Sequence, residues 1–173
     1  ALDWWNGNRS TLVDAELSGL LLGCTLATDA EEIYRTLIEG TAFGTRVIIE
    51  AFTEQSVPVE EIVAGGTLAK NPTLMQIYAD VTGRVMAVAG ADQVTALGAA
   101  VLGSVAAGSA RGGYDSLKRA VAHMAPPPAE VYHPIPEHRS PYETLYGEYR
   151  RLYDYFGRGE NDAMKVLRSL RAR

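Results

Sequence analysis

The sequence predicts an α/β fold, because segments with the pattern of a strand alternate along it with segments that have the pattern of a helix. A β-branched run at residues 62–64 and an apolar run at residues 85–89 are typical of short strands. An amphipathic helical pattern that stops at Gly83 follows the first run, and a helical segment of small residues, 96–102, follows the second. Elements in this order favour a sheet covered by helices.

The segment before the first of these strands contains an apolar run and the longest predicted helix. Residues 20–22 are three leucines closed by Gly23, which we expect to form a buried strand. Thr28 and Asp29 then each have a glutamate three positions later, the spacing of a capping box, so a helix begins there. Gly40 and Gly44 would let another backbone approach this helix closely. Its expected buried face consists of Ile33, Leu37, Thr41, Gly44, Ile48 and Phe52.

The first predicted strand is followed by Gly65-Gly66, and a helix then opens at Asn71 and Pro72. Asn71 is suited to cap this helix and Pro72 to its first turn. A strand, a tight glycine turn and a helix N-terminus together can turn backbone N–H groups towards an anion such as phosphate. A bare glycine pair between a strand and a helix is, however, more often a plain turn that needs positive φ. The expected buried face of the helix is Leu74, Ile77, Tyr78 and Val81.

The rest of the chain is predicted to contain a third helix, a connector and a helical tail. The small side chains of residues 96–102 predict tight packing of the third helix against the sheet. The connector, from Gly108 to Pro136, includes a short helix at 116–124 and the proline run 126–128. A tail helix starts at Ser140-Pro141, and a last helix begins near Asn161. The stripe expected to pack the tail on its own lobe is Tyr142, Leu145, Tyr149, Leu152 and Phe156.

Composition narrows the function classes. A net charge of −5 and a pI near 5.2 argue against a nucleic-acid surface, which needs clustered Lys and Arg. The sequence has neither an apolar run long enough to span a bilayer nor the pattern of a secretory signal, so we expect a cytoplasmic protein without a membrane partner.

Cys24 is expected to be a small buried residue. The opening residues 1–5 include two tryptophans and no Met, which we interpret as the start of a piece of a longer polypeptide.

Motifs for common catalytic and metal sites are missing from the sequence. His123, His133 and His138 lack the helical i, i+4 spacing of a metal site, so we expect solvated loop histidines and predict no metal ligand. Glu39 is expected to be a surface or capping residue rather than a catalytic acid. The sequence also lacks a nucleophile elbow, a complete Walker phosphate loop and a dinucleotide fingerprint.

Several separated blocks nevertheless agree in order and spacing with one known family. The blocks are Trp5-Asn6-Gly7-Asn8-Arg9-Ser10 with Asp14 and Gly19, then Gly65-Gly66-Thr67-Leu68-Ala69-Lys70-Asn71-Pro72, and then Ala96-Leu97-Gly98-Ala99-Ala100. Together they make the chain resemble the C-terminal lobe of the FGGY carbohydrate kinases. Within that family, the first block, residues 70–83 and residues 154–159 look like the members that phosphorylate ribulose.

The resemblance implies an actin-like, ribonuclease-H-like ATPase lobe: a mixed sheet flanked by helices, with a C-terminal helical tail. It divides the chain into a nucleotide-binding lobe at 1–108, a connector at 109–137 and a helical extension at 138–173. The resemblance also implies that nucleotide lies in a cleft shared with an N-terminal lobe. In this reading Gly65 and Gly66 contact the α-phosphate and ribose, with Thr67 beside them. Lys70 and Asn71 then approach the adenine, and for Asn71 a helix cap is a compatible alternative.

The expected activity is transfer of the γ-phosphate of ATP, with Mg²⁺, to a hydroxyl of ribulose, a step of L-arabinose catabolism. Such transfer needs a base and a loop for the terminal phosphates. In this family both lie upstream of the residues present here, so the chain alone is expected to be inactive and to carry no catalytic residue. Two alternatives stay open: a kinase of another ketose or polyol, such as xylulose or glycerol, and a non-catalytic interaction module with a nucleotide-lobe fold. A homo-oligomer is also left open.

Overall fold

The structure is a computed structural model and describes residues 1–171. These residues form two compact units. Unit 1 contains Ala1–Glu60, Ile77–Gly83 and Pro134–Arg173, of which residues 1–60, 77–83 and 134–171 are described here. Unit 2 contains Glu61–Gln76 and Arg84–His133. The elements in chain order are α1 (Ala30–Glu54), β1 (Glu61–Ala64), α2 (Pro72–Thr82), β2 (Val85–Val88), α3 (Val94–Ala107), α4 (Leu117–Met124), β3 (Glu130–Tyr132), α5 (Arg139–Gly157) and α6 (Ala163–Arg171).

Helix α1 of unit 1 begins at a complete capping box. The side chain of Asp29 accepts from the N–H of Glu32 at 2.8 Å, and the Glu32 carboxylate accepts from the N–H of Asp29 at 3.3 Å. The sequence prediction of a capped start is therefore confirmed. Gly40 is also used as predicted, because a Cβ at this position would lie 2.9 Å from the carbonyl oxygen of Ala1. The N-terminal segment thus packs directly on the helix backbone.

An aromatic core joins α1 to α5 within unit 1. Phe43 is buried, and its ring centroid lies 5.3 to 6.2 Å from those of Tyr142, Tyr146 and Tyr149. Tyr153 continues the row and meets the ring of Trp4 edge-on at 5.1 Å. The predicted tail stripe is therefore only partly correct. Tyr142 and Tyr149 are buried as expected, whereas Leu145 is 48% exposed because the helix turns its row of tyrosines inwards.

Three further expectations for unit 1 are wrong. Phe52 is half exposed, because the buried side of α1 is rotated from the predicted face towards residues such as Phe43 and Val47. The leucine run at 20–22 is not a strand, since only Leu20 makes a bridge, with Leu2, and Leu22 is 66% exposed. Cys24 is exposed rather than buried, because the loop that carries it lies at the surface of the unit.

The expectation of a solvated loop histidine is only partly correct for His138, whose side chain is 49% exposed but paired. Its Nδ1 lies 2.7 Å from Oδ2 of Asp80, whose side chain is only 2% exposed. The other carboxylate oxygen of Asp80 accepts from the N–H of Ile135 at 2.8 Å. The histidine is therefore held in place by a buried carboxylate of unit 1.

Unit 2 contains a three-stranded mixed sheet in the order β1-β2-β3. Strands β1 and β2 are parallel, with Ala64 opposite Val88, and both were predicted. Strand β3 is antiparallel to β2, with Glu130 opposite Val88. It lies in the predicted connector and was missed, because three residues after a proline run give no periodic signal.

Helix α2 follows the first strand and has the predicted cap. Oδ1 of Asn71 accepts from the N–H of Leu74 at 3.2 Å, and the carbonyl of Asn71 accepts from Met75. Before it, residues Thr67–Lys70 make an unpredicted 3-10 turn. The helix ends before Gly83, whose φ of 64° lies in the left-handed region that favours glycine. Leu74, Ile77 and Val81 are buried as expected.

Helix α3 does not pack as the sequence predicts. Val101 is its one buried residue, and no atom lies within 4 Å of a Cβ built on Gly98 or Gly103. The helix contacts α4, and the N–H of Tyr114 donates to the carbonyl of Ser104 at 3.1 Å. Small side chains permit close packing but do not require a neighbour, so most of this apolar helix is exposed within unit 2.

Candidate functional site

A cavity of about 340 Å³ lies in unit 2 where the two parallel strands end. The turn after β1 and the loop after β2 form its walls, and the start of β3 completes it because this strand runs in the opposite direction. Ligands of open α/β sheets bind outside the carboxyl ends of the strands. The lining residues are Gly65, Gly66, Ala69, Lys70, Val88, Ala89, Gly90, Ala91, Asp92, Ala129 and Glu130.

Glycines bring the backbone close to this cavity. Gly66 has φ 96°, and nothing lies within 4 Å of a Cβ placed on it, so backbone conformation alone requires glycine there. A Cβ on Gly65 would lie 2.7 Å from Cγ2 of Val94. On Gly90 it would lie 2.0 Å from the carbonyl oxygen of Pro127. A side chain at Gly66 would strain the backbone, and one at Gly65 or Gly90 would clash with a neighbouring residue. With glycine at all three positions, the backbone itself forms this part of the cavity wall.

The charged groups of the cavity are two carboxylates and one ammonium group. Nζ of Lys70 lies 2.9 Å from Oδ1 of Asp92, and this ammonium lowers the pKa of the Asp92 carboxyl. The Glu130 carboxylate accepts a short hydrogen bond from the hydroxyl of Tyr132, which raises the pKa of that phenol. Among the described ion pairs none includes Glu130, so the site carries one carboxylate in excess.

The N-terminus of α3 lies beside the glycine turn. Its first residue, Val94, contacts Gly65, and the capping residue Gln93 makes no side-chain hydrogen bond to the first turn. The N–H groups at the start of a helix attract negative charge. The turn and the helix start together offer backbone donors near a cavity whose side chains are mainly small and apolar.

Three of the five predicted site residues line this cavity, namely Gly65, Gly66 and Lys70. Thr67 belongs to the 3-10 turn and Asn71 caps α2, and neither is among the lining residues. Sequence reasoning missed Gly90, Asp92 and Glu130. The first two follow a predicted strand that runs parallel to β1, so the rule on strand ends could have found them.

A second cavity, of about 460 Å³, lies in unit 1 between the loop at 21–28 and the first turns of α1. Arg35 and Glu39 line it, but they pair with each other at 2.8 Å, and both also contact the hydroxyl of Tyr142. Glu39 is therefore a hydrogen-bonded partner of Arg35 and Tyr142 with a side chain only 15% exposed, and not the surface or capping residue that the sequence suggested. Among residues 1–171, no group of three or more His, Cys, Asp or Glu side chains could hold a metal ion.

Residues 1–107 match the model of the FGGY family of carbohydrate kinases, C-terminal domain. The chain belongs to the FGGY family. The matched segment includes β1, the glycine turn and α3, and the sequence resemblance is thereby confirmed. None of the helices within residues 1–171 has both the length and the apolar character that a membrane span requires.

Curated relatives of this FGGY chain are named ribulokinase. The protein of Bacillus licheniformis is 57% identical over 172 residues, and that of Halalkalibacterium halodurans is 59% identical over 173 residues. Each alignment covers 99% of this chain and 31% of the relative. The chain therefore spans about a third of the length of the curated relatives it matches.

Solved structures of sugar kinases share the fold of this FGGY chain. Xylulose kinase from Lactobacillus acidophilus superposes with a TM-score of 0.77 at 22% identity, over 90% of this chain and 31% of that one. Glycerol kinase from Plasmodium falciparum, solved with ADP, gives a TM-score of 0.65 at 21% identity, over 85% of this chain and 29% of that one. The predicted actin-like, mixed α/β fold is thus confirmed.

Proposed function

We propose that the cavity of unit 2 binds the nucleotide of a sugar kinase. The observation that carries this proposal is the position of the Gly65-Gly66 turn at the carboxyl end of the parallel strands, with a helix start beside it. A Cβ on Gly65 would clash with Val94 and a Cβ on Gly90 would clash with Pro127, so the shape of the walls depends on glycine at both positions. Gly65, Gly66 and Lys70 are the proposed contacts, with Thr67 and Asn71 supporting the turn and the helix behind it.

The proposed reaction transfers the γ-phosphate of ATP to ribulose, as a step of L-arabinose catabolism. Identities of 57 and 59% to proteins named ribulokinase support this substrate over xylulose or glycerol, whose kinases are matched at 22 and 21%. ATP is an intracellular metabolite, so the proposal places the protein in the cytoplasm. Xylulose and glycerol kinase activities, and a non-catalytic module, remain the alternatives to be tested.

We propose no catalytic residue in this chain. Phosphoryl transfer needs a group that orients the attacking hydroxyl, and Mg²⁺ on the phosphates. Because the cavity aspartate, Asp92, is paired with Lys70, we propose that Mg²⁺ is held by the ATP phosphates and by groups outside this chain. The base, the phosphate loop and the sugar contacts are therefore proposed to lie in an N-terminal lobe of the kind that longer relatives have room for.

The proposed domain division is a nucleotide-binding lobe at 1–108, a connector at 109–137 and a helical extension at 138–173. The compact units of the structure follow different bounds, and the cavity includes Ala129 and Glu130 from the proposed connector. The connector thus contributes to the proposed nucleotide site. A homo-oligomer stays a proposal that light scattering on the purified protein would test.

The deciding experiment measures ADP release by the full-length kinase polypeptide with ribulose, xylulose, gluconate and glycerol, each with and without Mg²⁺. We expect ribulose to give the highest kcat/KM, and the 173-residue chain assayed alone to give no turnover. A full-length protein that binds neither ATP nor ADP in calorimetry would support the non-catalytic module. Turnover of ribulose by the chain alone would contradict the proposal that the base and the phosphate loop lie in an N-terminal lobe.

A further inference from the structure

The strand register brings one carboxylate to the mouth of the cavity. Glu130 lies opposite Val88 in the antiparallel pair of β3 and β2, so the two side chains lie on the same face of the sheet. Both residues line the cavity. Tyr132, two residues further along β3, lies on the same face and donates its hydroxyl to Oε2 of Glu130. An apolar wall and an oriented acceptor therefore lie side by side.

The charges of the cavity decide which end of a nucleotide it can take. Nζ of Lys70 is paired with Oδ1 of Asp92 at 2.9 Å, in an ion pair whose side chains are both largely exposed, and Glu130 is in none of the described ion pairs. The Glu130 carboxylate disfavours a phosphate group beside it, because like charges repel, whereas the N–H groups of the glycine turn and of the start of α3 attract one on their side of the cavity. The nucleoside end of ATP is uncharged, and the small side chains of Ala69, Ala89 and Ala91 leave room for it.

We propose that Glu130 binds the 2′- and 3′-hydroxyl groups of the ribose, an assignment that rests on the proposed nucleotide site. An ionised carboxylate is an acceptor only, with about four lone-pair directions, of which Tyr132 occupies one. The vicinal hydroxyls of ribose supply two donors with matching spacing. A carboxylate facing the base instead would favour guanine, whose N1 and N2 groups are donors, over adenine, whose N1 is an acceptor.

The role of Tyr132 is that of a positioning residue. Its hydroxyl holds one oxygen of the Glu130 carboxylate from the same strand, and it is not among the residues that line the cavity. Replacing it with Phe removes this bond while the ring stays, so the carboxylate remains but is less well oriented.

The test compares kcat/KM for ATP and 2′-deoxyATP in the full-length kinase with its sugar. Hydrogen bonds to charged groups contribute enough to predict a preference for ATP of about tenfold or more in the unmodified protein. In Glu130→Ala we expect the ratio to fall to about 1, mainly through the KM for ATP, and in Glu130→Gln and Tyr132→Phe to take intermediate values. The same order is expected for 3′-deoxyATP.

The matched control is Glu61→Ala, since Glu61 is an exposed residue at the amino end of β1, at the opposite edge of the same sheet. Its ratio should equal that of the unmodified protein, and thermal unfolding should show that every variant is folded. An unmodified protein without a preference, an unchanged ratio in Glu130→Ala, or an equal loss in Glu61→Ala would overturn the assignment. A protein that consumes neither nucleotide would instead overturn the proposed function itself, and the assignment with it.

Discussion

The two compact units of this FGGY chain are built from different kinds of residue. Unit 1 has a core of large aromatic side chains, with Phe43 and Trp4 against a row of tyrosines on α5. Unit 2 has a small sheet whose buried residues include Ala87 and Met86, and a helix α3 that is mostly exposed. The cavity proposed to bind nucleotide lies in the second unit, where glycine and alanine predominate.

This difference separates stability from ligand binding. Large side chains bury the apolar area that stabilises a fold, whereas small residues in the walls of a cavity leave room for a ligand and let it reach the backbone. Unit 1 should therefore respond to substitutions mainly through its free energy of unfolding. Substitutions in unit 2 should also change the shape of its cavity, and where they overpack a wall they should lower the free energy of unfolding as well.

Phe43→Ala removes the ring on which the tyrosine row packs. The residue is 5% exposed, and truncation of a buried Phe costs about 3–5 kcal/mol, so we expect the free energy of unfolding to fall by that amount. Urea unfolding followed by circular dichroism measures it. Phe52→Ala on the same helix is the control, since Phe52 is 50% exposed and should change stability by less than about 1 kcal/mol. Equal losses in both variants would contradict the aromatic core as the main stabilising element of unit 1.

Gly65→Ala tests the wall of the cavity in unit 2. The new methyl group would lie 2.7 Å from Cγ2 of Val94, and overpacking of this kind costs about 1–3 kcal/mol. The double variant with Val94→Ala removes the clash and should recover most of the stability, which gives a coupling free energy of about 1 kcal/mol or more in a double-mutant cycle. Additive effects would show that the two residues are not in contact.

Sequence reasoning succeeded where a few neighbouring residues determine the outcome. The capping box of Asp29 and Glu32, the Asn71 cap and the positive φ of Gly66 each depend on chemistry within four residues. It failed where a distant partner decides. The leucine run at 20–22 and the small-residue helix α3 have the composition of buried elements, but nothing local specifies what covers them.

The residues of the candidate site show the same difference between features set by neighbouring residues and features set by a distant partner. Gly65 and Gly66 could be identified because a turn between a strand and a helix is a local pattern. Glu130 could not, because its place at the cavity depends on pairing β3 with β2, which lies more than forty residues upstream in sequence. Thr67 and Asn71 were included because of the family resemblance; Thr67 lies in the 3-10 turn and Asn71 caps α2, and neither is among the residues that line the cavity.

Asp3 and Asp14 of unit 1 should give opposite dependences of stability on pH. Burial raises the pKa of the Asp3 carboxyl above its ordinary value of 3.8, so the folded state holds this proton more tightly and loses stability as pH rises through the folded pKa. Asp3→Asn, which cannot ionise, should therefore gain stability relative to the unmodified chain as the pH rises above the ordinary value of 3.8. Urea unfolding at several pH values measures this difference.

Asp14 provides the counterpart to Asp3. A hydrogen bond from Lys165, at 2.9 Å, lowers the pKa of the Asp14 carboxyl, so its contribution is present above the ordinary value and is lost as pH falls through the folded pKa. Asp14→Asn should be the less stable variant at pH 7 and should approach the unmodified chain at low pH. For each variant, the quantity to compare is its free energy of unfolding minus that of the unmodified chain, plotted against pH. If this difference changes with pH in the same direction for Asp3→Asn and Asp14→Asn, the assigned causes of the two pKa shifts are wrong.

Replacing a helical glycine by alanine should have opposite signs in the two units. In α3 a Cβ on Gly98 meets nothing within 4 Å, so Gly98→Ala gains helix propensity and should raise the free energy of unfolding by about 0.5–1 kcal/mol. In α1 a Cβ on Gly40 would lie 2.9 Å from the carbonyl oxygen of Ala1, a backbone atom that cannot rotate away, so Gly40→Ala should lower it. Thermal unfolding of the two variants under one set of conditions gives the comparison. A gain from Gly40→Ala would mean that the N-terminal segment does not pack on α1, and a loss from Gly98→Ala would mean that α3 has a neighbour at that position.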